Sequence, residues 1–128
     1  MDTLIDKKLT YAIIGASNNK EKYGHKVLRS LYEAGFKVIP INPKSGTILG
    51  LKVYENLDLV EDKIDVAVFV IPPNVTEEVI KEVINKNIKK VWLQPGSENE
   101  NVLKFCAQHD LTCYHNACIM IEQLKYLK

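Results

Sequence analysis

The sequence has no apolar run approaching the roughly 20 residues that would span a bilayer, and no charge surplus of either sign. Lys and Arg together number 17 against 16 Asp and Glu, a net charge of +1. Duplex DNA binding by counterion release needs a concentrated basic surface, so this balance argues against nucleic acid as the partner. A small anionic ligand remains open, because it needs only a few well-placed donors. The paired Cys-x-x-Cys limbs of structural zinc sites are also missing. Cys113, His115 and Cys118, even with His109 added, have the spacing C-x-H-x-x-C, which is not a usual zinc pattern. An odd count of three cysteines reads as reduced thiols in a reducing compartment, with Cys106 packed as a small core hydrophobe. The stretch from Met1 to Lys8 is too short and too charged for a signal peptide. The expectation is a soluble, cytoplasmic protein with no membrane partner.

What is present has the ordinary make-up of a globular chain. Its 128 residues, 46% hydrophobic and 26% charged, suit one compact domain over 1–128. Apolar runs of strand length alternate with segments of helical period. Tyr11 to Ile14 is a short strand ending at Gly15. From Gly24 to Ala34 the positions Val27, Leu28 and Leu31 share one helical face, and Gly35 marks the stop. Lys37 to Ile41 reads as a strand whose Pro40 suggests an edge or a bulge. Leu51 to Tyr54 reads as a short strand, Leu57 to Val60 as a helical turn and Asp65 to Ile71 as a strand closed by Pro72 and Pro73.

Asn74 with Glu77, and later Ser97 with Glu100, have capping-box spacing and predict helix starts. The first of these helices carries a stripe of Val75, Val79, Ile80, Val83 and Ile84, and the second carries Val102, Leu103, Phe105 and Cys106. Val91 to Leu93 and Leu111 to Tyr114 are further strands, and Ile119 to Leu127 a terminal helix. Such alternation implies an α/β fold: a single Rossmann-like domain with a mostly parallel, doubly wound sheet and helices on both faces.

In folds of this kind ligands bind outside the carboxyl ends of the strands, so the turns after each strand matter most. The first runs from Gly15 through Ala16 and Ser17 to Lys22, Tyr23 and Gly24. Small residues admit a close backbone approach, and the free amides of a helix start suit a phosphate. It is not an intact G-x-G-x-x-G fingerprint, since Ser17 and Lys20 replace two glycines, and Gly15 also fits a plain tight turn. The second turn, Asn42-Pro43-Lys44, lacks the carboxylate that would hold an NAD ribose. Its lysine suits a ribose phosphate, of coenzyme A or NADP alike, or simply faces solvent. Val70, Ile71 and Pro72 offer apolar walls for a flat base or a pantetheine arm, and also simply end a strand. Gln94 to Ser97 places an amide and a helix start at the same rim, with Gly96 between them.

These turns, in this order, resemble the coenzyme A-binding domain family, the stand-alone relatives of the N-terminal domain of the succinyl-CoA synthetase alpha subunit. The matching stretches are Ile14-Gly15-Ala16-Ser17 with Lys22-Tyr23-Gly24, Ile41 to Lys44, Leu49-Gly50, Val70 to Pro73, Trp92 to Gly96, and Cys118-Ile119. The resemblance covers roughly Leu9 to Leu124 and rests on joint order and spacing. It implies that Gly15, Ala16 and Ser17 lie against the coenzyme's phosphates, that Asn42, Pro43 and Lys44 lie near the phosphorylated adenosine, and that Val70, Ile71 and Pro72 line the site. A glycine between the proline and the lysine of the synthetase is absent here, which shifts Lys44 by one residue. The synthetase's second domain, with its phosphorylated histidine, and its nucleotide-binding beta subunit have no counterpart in this sequence, and His25, His109 and His115 do not stand in for that histidine. The resemblance therefore implies binding of coenzyme A or an acyl-CoA without catalysis, as a binding or sensor protein, or as a subunit acting with a separately encoded partner. It also sets Cys118 where a mixed disulfide with the coenzyme's thiol could form.

Two other readings stay open. An NADP-dependent reductase would accept the same basic second turn and would draw a proton donor from Tyr23, His25 or Tyr114. A homodimer would use the apolar stripe of the last helix, Ile119, Ile121, Leu124 and Leu127, which otherwise covers the domain's own sheet.

Overall fold

A computed structural model of the chain describes residues 5–126. Leu127, and Met1 to Leu4 of the leader reading, lie outside the described residues. Five strands form one parallel sheet: β1 (Thr10–Ile14), β2 (Lys37–Ile41), β5 (Val66–Phe69), β6 (Lys90–Leu93) and β7 (Thr112–Tyr114), in the order β2-β1-β5-β6-β7. Two more strands, β3 (Gly46–Ile48) and β4 (Leu51–Val53), pair as a small antiparallel hairpin. The helices are α1 (Tyr23–Glu33), α2 (Pro73–Val79), α3 (Lys81–Asn85), α4 (Glu100–Gln108) and α5 (Ile119–Tyr126), with a 3-10 turn at Leu57–Leu59.

The sheet is buried on both faces, and its strands divide their side chains accordingly. Ala12, Ile14, Ala67, Phe69, Val91 and Leu93 point into a cluster shared with Ile80, Val83, Val102 and Cys106 of α2–α4 and their junction. Tyr11, Ile13, Val66, Val68 and Trp92 point the other way, against Val27, Leu28 and Leu31 of α1 and Ile119 of α5. Continuous apolar runs are what a parallel strand covered on both sides requires. Each large side chain so buried contributes about 1.5–3 kcal/mol relative to exposure. Pro40 sits in β2, an outer strand of the sheet, where its missing N–H leaves no inner ladder bond unmade.

Several local expectations are corrected. Asp65 to Ile71 shortens to Val66–Phe69: Asp65 meets Thr10 through both its amide, at 2.9 Å, and its carboxylate, at 2.8 Å, and at the other end the Ile71 amide turns to the Ser97 hydroxyl at 3.2 Å. Asn74 caps nothing: Pro72 is the N-cap and Pro73 opens α2, since a proline's fixed φ and missing N–H suit the first helical turn. The 75–84 stripe divides at Ile80 into α2 and α3. Ser97 is not the cap of α4 either. Asn99 caps it, its Oδ1 accepting from the Val102 amide at 2.9 Å, while the Ser97 hydroxyl accepts from the Ile71 amide at 3.2 Å.

The cysteines are not all reduced. Cys106 and Cys113 form a disulfide that ties α4 to β7, and Cys118 alone is free. Two sulfurs on adjoining elements meet here, and no spacing rule for isolated cysteines carries that information. Cys106 is nonetheless buried, at 4% exposure. The bridge also removes the Cys113 sulfur from any cluster with His115 and Cys118. Of the last helix's stripe, Ile119 is fully buried whereas Ile121 and Leu124 are exposed. Among the described residues no helix is long and apolar enough to cross a membrane.

Candidate functional site

Strand order reverses between β1 and β5, since the chain moves from β1 out to β2 and then returns to the opposite side of β1. At such a switch point the loops at the carboxyl ends diverge and leave a crevice. Here the crevice is walled by the turns after β1, β2 and β5, and those turns touch backbone to backbone. Gly15 has φ +102°, and a Cβ there would stand 2.4 Å from the Val70 carbonyl oxygen. A Cβ on Gly24 would stand 1.8 Å from the Gly15 carbonyl oxygen. No larger side chain fits either position without moving main chain.

Side-chain amides then fasten the turns together. Asn42 Nδ2 donates to the Ala16 carbonyl at 2.7 Å and its Oδ1 accepts from the Lys44 amide at 2.8 Å. Asn18 Nδ2 reaches the Thr47 carbonyl of β3 at 2.9 Å. The Ser17 hydroxyl accepts from the Asn19 amide at 3.0 Å. The Ser17 carbonyl lies 2.8 Å from Nδ1 of buried His25, and because a carbonyl only accepts, Nδ1 carries the proton. Nε2 on the far side of that ring is buried without a partner. Lys22 is the N-cap of α1 and makes no side-chain cap; the His25 amide donates to the Lys22 carbonyl at 3.1 Å, and the Tyr23 and Gly24 amides at the start of this 11-residue helix are left for a ligand or water.

The result is two cavities that meet. One, of about 520 Å³, is predominantly apolar, with Ile14, Val70, Ile71, Pro72, Val75 and Val79 among its walls. The other, of about 540 Å³, is polar and lies between the turn after β1 and the β3–β4 hairpin, with Asn18, Lys44, Ser45 and Thr47 on its walls. Ser17, Lys22 and Asn42 border both. Gly15, Tyr23, Gly24 and Pro43 line the apolar cavity alone. Tyr23 is 58% exposed at its edge. Neither cavity is lined by a histidine or a cysteine.

Of the residues singled out in the sequence, Ile14, Gly15, Ser17, Lys22, Tyr23, Gly24, Asn42, Pro43, Lys44, Val70, Ile71 and Pro72 are thus brought together around these cavities. Ala16, Gln94, Gly96 and Cys118 line neither. Ala16 is fully buried and takes part through its carbonyl. Gln94 is buried beneath the segment leading into α5, its Oε1 accepting from the Ile119 amide at 2.7 Å and its Nε2 lying 3.4 Å from Cys118 Sγ. Gly96 is exposed, with its amide donating to the Glu98 carboxylate at 3.1 Å.

Other lining residues carried no signal in the sequence. Glu55 and Asn56 enter the apolar cavity because Tyr54 bridges to Ile41 beside β2. Glu82 enters from α3, with Oε1 accepting from the Leu57 amide at 3.1 Å. Val75 and Val79 read as core stripe, yet they line the cleft and Val75 is 39% exposed. The capping-box spacing of Asn74 and Glu77 set the wrong start for this short helix, which Pro72 caps and Pro73 opens.

A cleft of this construction offers helix-start amides and two lysines for phosphates, beside an apolar slot for a flat ring. Comparison with known proteins bears on what fills it. The chain is 42% identical over 78 residues to an ADP-forming acetate–CoA ligase of Methanocaldococcus jannaschii, covering 61% of this chain and 11% of that protein. It is 33% identical over 81 residues to the alpha subunit of ADP-forming acetate–CoA ligase II of Pyrococcus furiosus, covering 62% of this chain and 18% of that one. The chain therefore spans less than a fifth of either ligase polypeptide. Among solved structures, a conserved hypothetical protein of Pyrococcus furiosus superposes with a TM-score of 0.86 at 39% identity, covering 89% of this chain and 98% of that one. The family model described as CoA binding domain matches residues 9–123, and the chain belongs to the CoA binding domain family.

Proposed function

We propose that this chain is a one-domain binding protein for coenzyme A or an acyl-CoA, held in the crevice between the turns after β1, β2 and β5. The observation that carries the reading is the junction of an apolar and a polar cavity at Ser17, Lys22 and Asn42. A ligand with a flat heterocycle joined to several phosphates matches such a pair. The heterocycle would lie between Ile14, Ile71 and Pro72, with phosphates over the start of α1 beside Lys22 and a ribose phosphate toward Lys44. Positive charge and free helix amides favour anions at that position.

The protein acts as a binder or sensor and not as a catalyst by itself. The His25 ring, one of the candidate proton donors, is turned to the Ser17 carbonyl and supports this reading. The match to a ligase alpha subunit supports a second reading, in which a separately encoded partner supplies the chemistry. Exposed Ile121 and Leu124 give α5 an apolar face that a second copy could cover, and gel filtration at two concentrations tests this. We place the protein in the cytoplasm, where the Cys106–Cys113 bridge would be open to reduction.

Isothermal titration with coenzyme A, dephospho-coenzyme A and NADP tests the ligand. Binding of coenzyme A that weakens when the 3′-phosphate is missing is the expected result. Binding of NADP with silence toward coenzyme A would overturn the reading in favour of a reductase.

A further inference from the structure

Part of the apolar cavity's lining repels a phosphate. Two of its lining residues are carboxylates, Glu55 and Glu82, and a third is the amide Asn56. Glu82 is the more constrained of the two acids. It lies on α3, is half-buried and lines the cavity, and the Leu57 amide holds its Oε1 at 3.1 Å, with no hydrogen bond to Oε2 among the described residues. Asn56 is committed in the same way, its Oδ1 accepting from the Leu59 amide at 3.2 Å. The 3-10 turn at Leu57–Leu59 therefore fixes both side chains, and neither borders the polar cavity. Lys22, Ser17 and Asn42 stand where the slot opens into the polar cavity.

This gives the cleft a direction. An ionised carboxylate only accepts hydrogen bonds and repels anions. Phosphates therefore belong beside Lys22 and Lys44, and the group reaching Glu82 must bring a hydrogen-bond donor. Resting on the coenzyme A reading, we infer that Glu82 is a specificity-determining residue that selects a purine bearing an exocyclic amino group at its six position. The surrounding walls, Ile71, Pro72, Val75 and Val79, offer that ring no competing polar group from their side chains. A six-oxo purine turns a carbonyl toward the carboxylate where adenine turns its amino group, and keeps only the neighbouring N1–H as a donor, so the ring must shift in the slot to reach Glu82. Sites built around a hydrogen bond discriminate strongly against a ligand that leaves a buried partner unpaired. The pantetheine arm also carries N–H donors, in its two amides, but it has no phosphate on the far side of an apolar ring to meet Lys22 and Lys44.

The test uses the whole chain and three truncated ligands: adenosine 3′,5′-bisphosphate, inosine 3′,5′-bisphosphate and 4′-phosphopantetheine. Titration of the unmodified protein is expected to show the inosine compound at least about tenfold weaker than the adenosine compound. Glu82→Gln keeps an oxygen for the Leu57 amide and adds a donor toward the cavity, so the two purines should come within about twofold of each other. Thermal unfolding of the variant checks that the fold is kept, and the comparison of purines on the unmodified protein needs no variant at all. Equal affinity for both purines on the unmodified protein, or an equal loss for both in Glu82→Gln, would overturn the inference while coenzyme A binding still stood. Loss of phosphopantetheine affinity in the variant, with adenosine bisphosphate untouched, would place the arm in this slot and also overturn it. Failure of the unmodified protein to bind coenzyme A removes the reading beneath the inference, and both fall together.

Discussion

The carboxyl rim of the sheet has two halves built from the same kinds of residue and left in opposite states. At the turn after β6 the polar side chains are committed to main-chain amides. Gln94 binds the Ile119 amide, Ser97 takes the Ile71 amide, Asn99 caps α4, and Glu98 takes the Gly96 amide. At the turns after β1, β2 and β5 the side chains secure the backbone and the edges stay open. Asn42 ties two turns together, α1 has no side-chain cap, and Lys22 and Lys44 enter none of the ion pairs seen among the described residues. A binding site is thus recognised less by having polar residues than by having polar groups whose bonding the fold has not completed. Each unmade bond costs some stability, and the completed half of the rim does not carry that cost.

The sharpest way to break this contrast is through main-chain contact in the open half. Gly24→Ala would force a Cβ to 1.8 Å from the Gly15 carbonyl. The turn and the start of α1 must separate, so we expect destabilisation of more than about 4 kcal/mol and loss of coenzyme A binding, read by thermal unfolding and titration. The matched control is Gly96→Ala in the closed half. That glycine has φ +94°, but a Cβ would meet nothing within 4 Å, so only backbone strain of about 1 kcal/mol is expected and coenzyme A affinity should not change.

Next in size is the disulfide that braces the closed half. Cys106 and Cys113 are separated by 7 positions, and removing a loop of that size from the constraints on the unfolded chain costs about 2.5 kcal/mol. Adding a reductant should lower the denaturant midpoint accordingly and leave coenzyme A affinity within about twofold. Gln94→Ala should act similarly, at roughly 1–3 kcal/mol, because the buried Ile119 amide loses its acceptor. If either change weakened coenzyme A binding about tenfold, the two halves would be coupled and the contrast would fail.

The smallest effects on stability belong to the open half's lysines. Lys22→Ala should change the unfolding midpoint little and weaken coenzyme A binding roughly tenfold, less at high salt, since an exposed charge beside a phosphate is screened. Lys44→Ala should weaken coenzyme A while leaving dephospho-coenzyme A unaffected. Equal losses for both ligands would place Lys44 away from the 3′-phosphate.

How much of this was legible in advance depended on how local each signal was. The strands Tyr11 to Ile14 and Val91 to Leu93 were readable because burial on both faces demands an unbroken apolar run. The two cap motifs misled, since Asn74 and Ser97 had the right spacing and the wrong neighbours. Pro72-Pro73 opens α2 on its own, and Ser97 bonds to a turn 26 residues away. The turns after β1, β2 and β5 were legible as a set, because small residues and lysines at strand ends have few structural uses. Glu55, Asn56 and Glu82 were not, because their place in the cleft depends on Tyr54 bridging to β2 and on a carboxylate reaching the Leu57 amide.

Composition and periodicity by themselves determined the alternating α/β chain, the doubly covered sheet and the rim on which a ligand would lie, because each rests on patterns only a few residues long. The tertiary structure alone decided which half of that rim stays open, that Cys106 meets Cys113, and that two acids line the apolar slot. Those outcomes depend on strand order and on contacts between distant segments, and neither is written in the spacing of neighbouring residues.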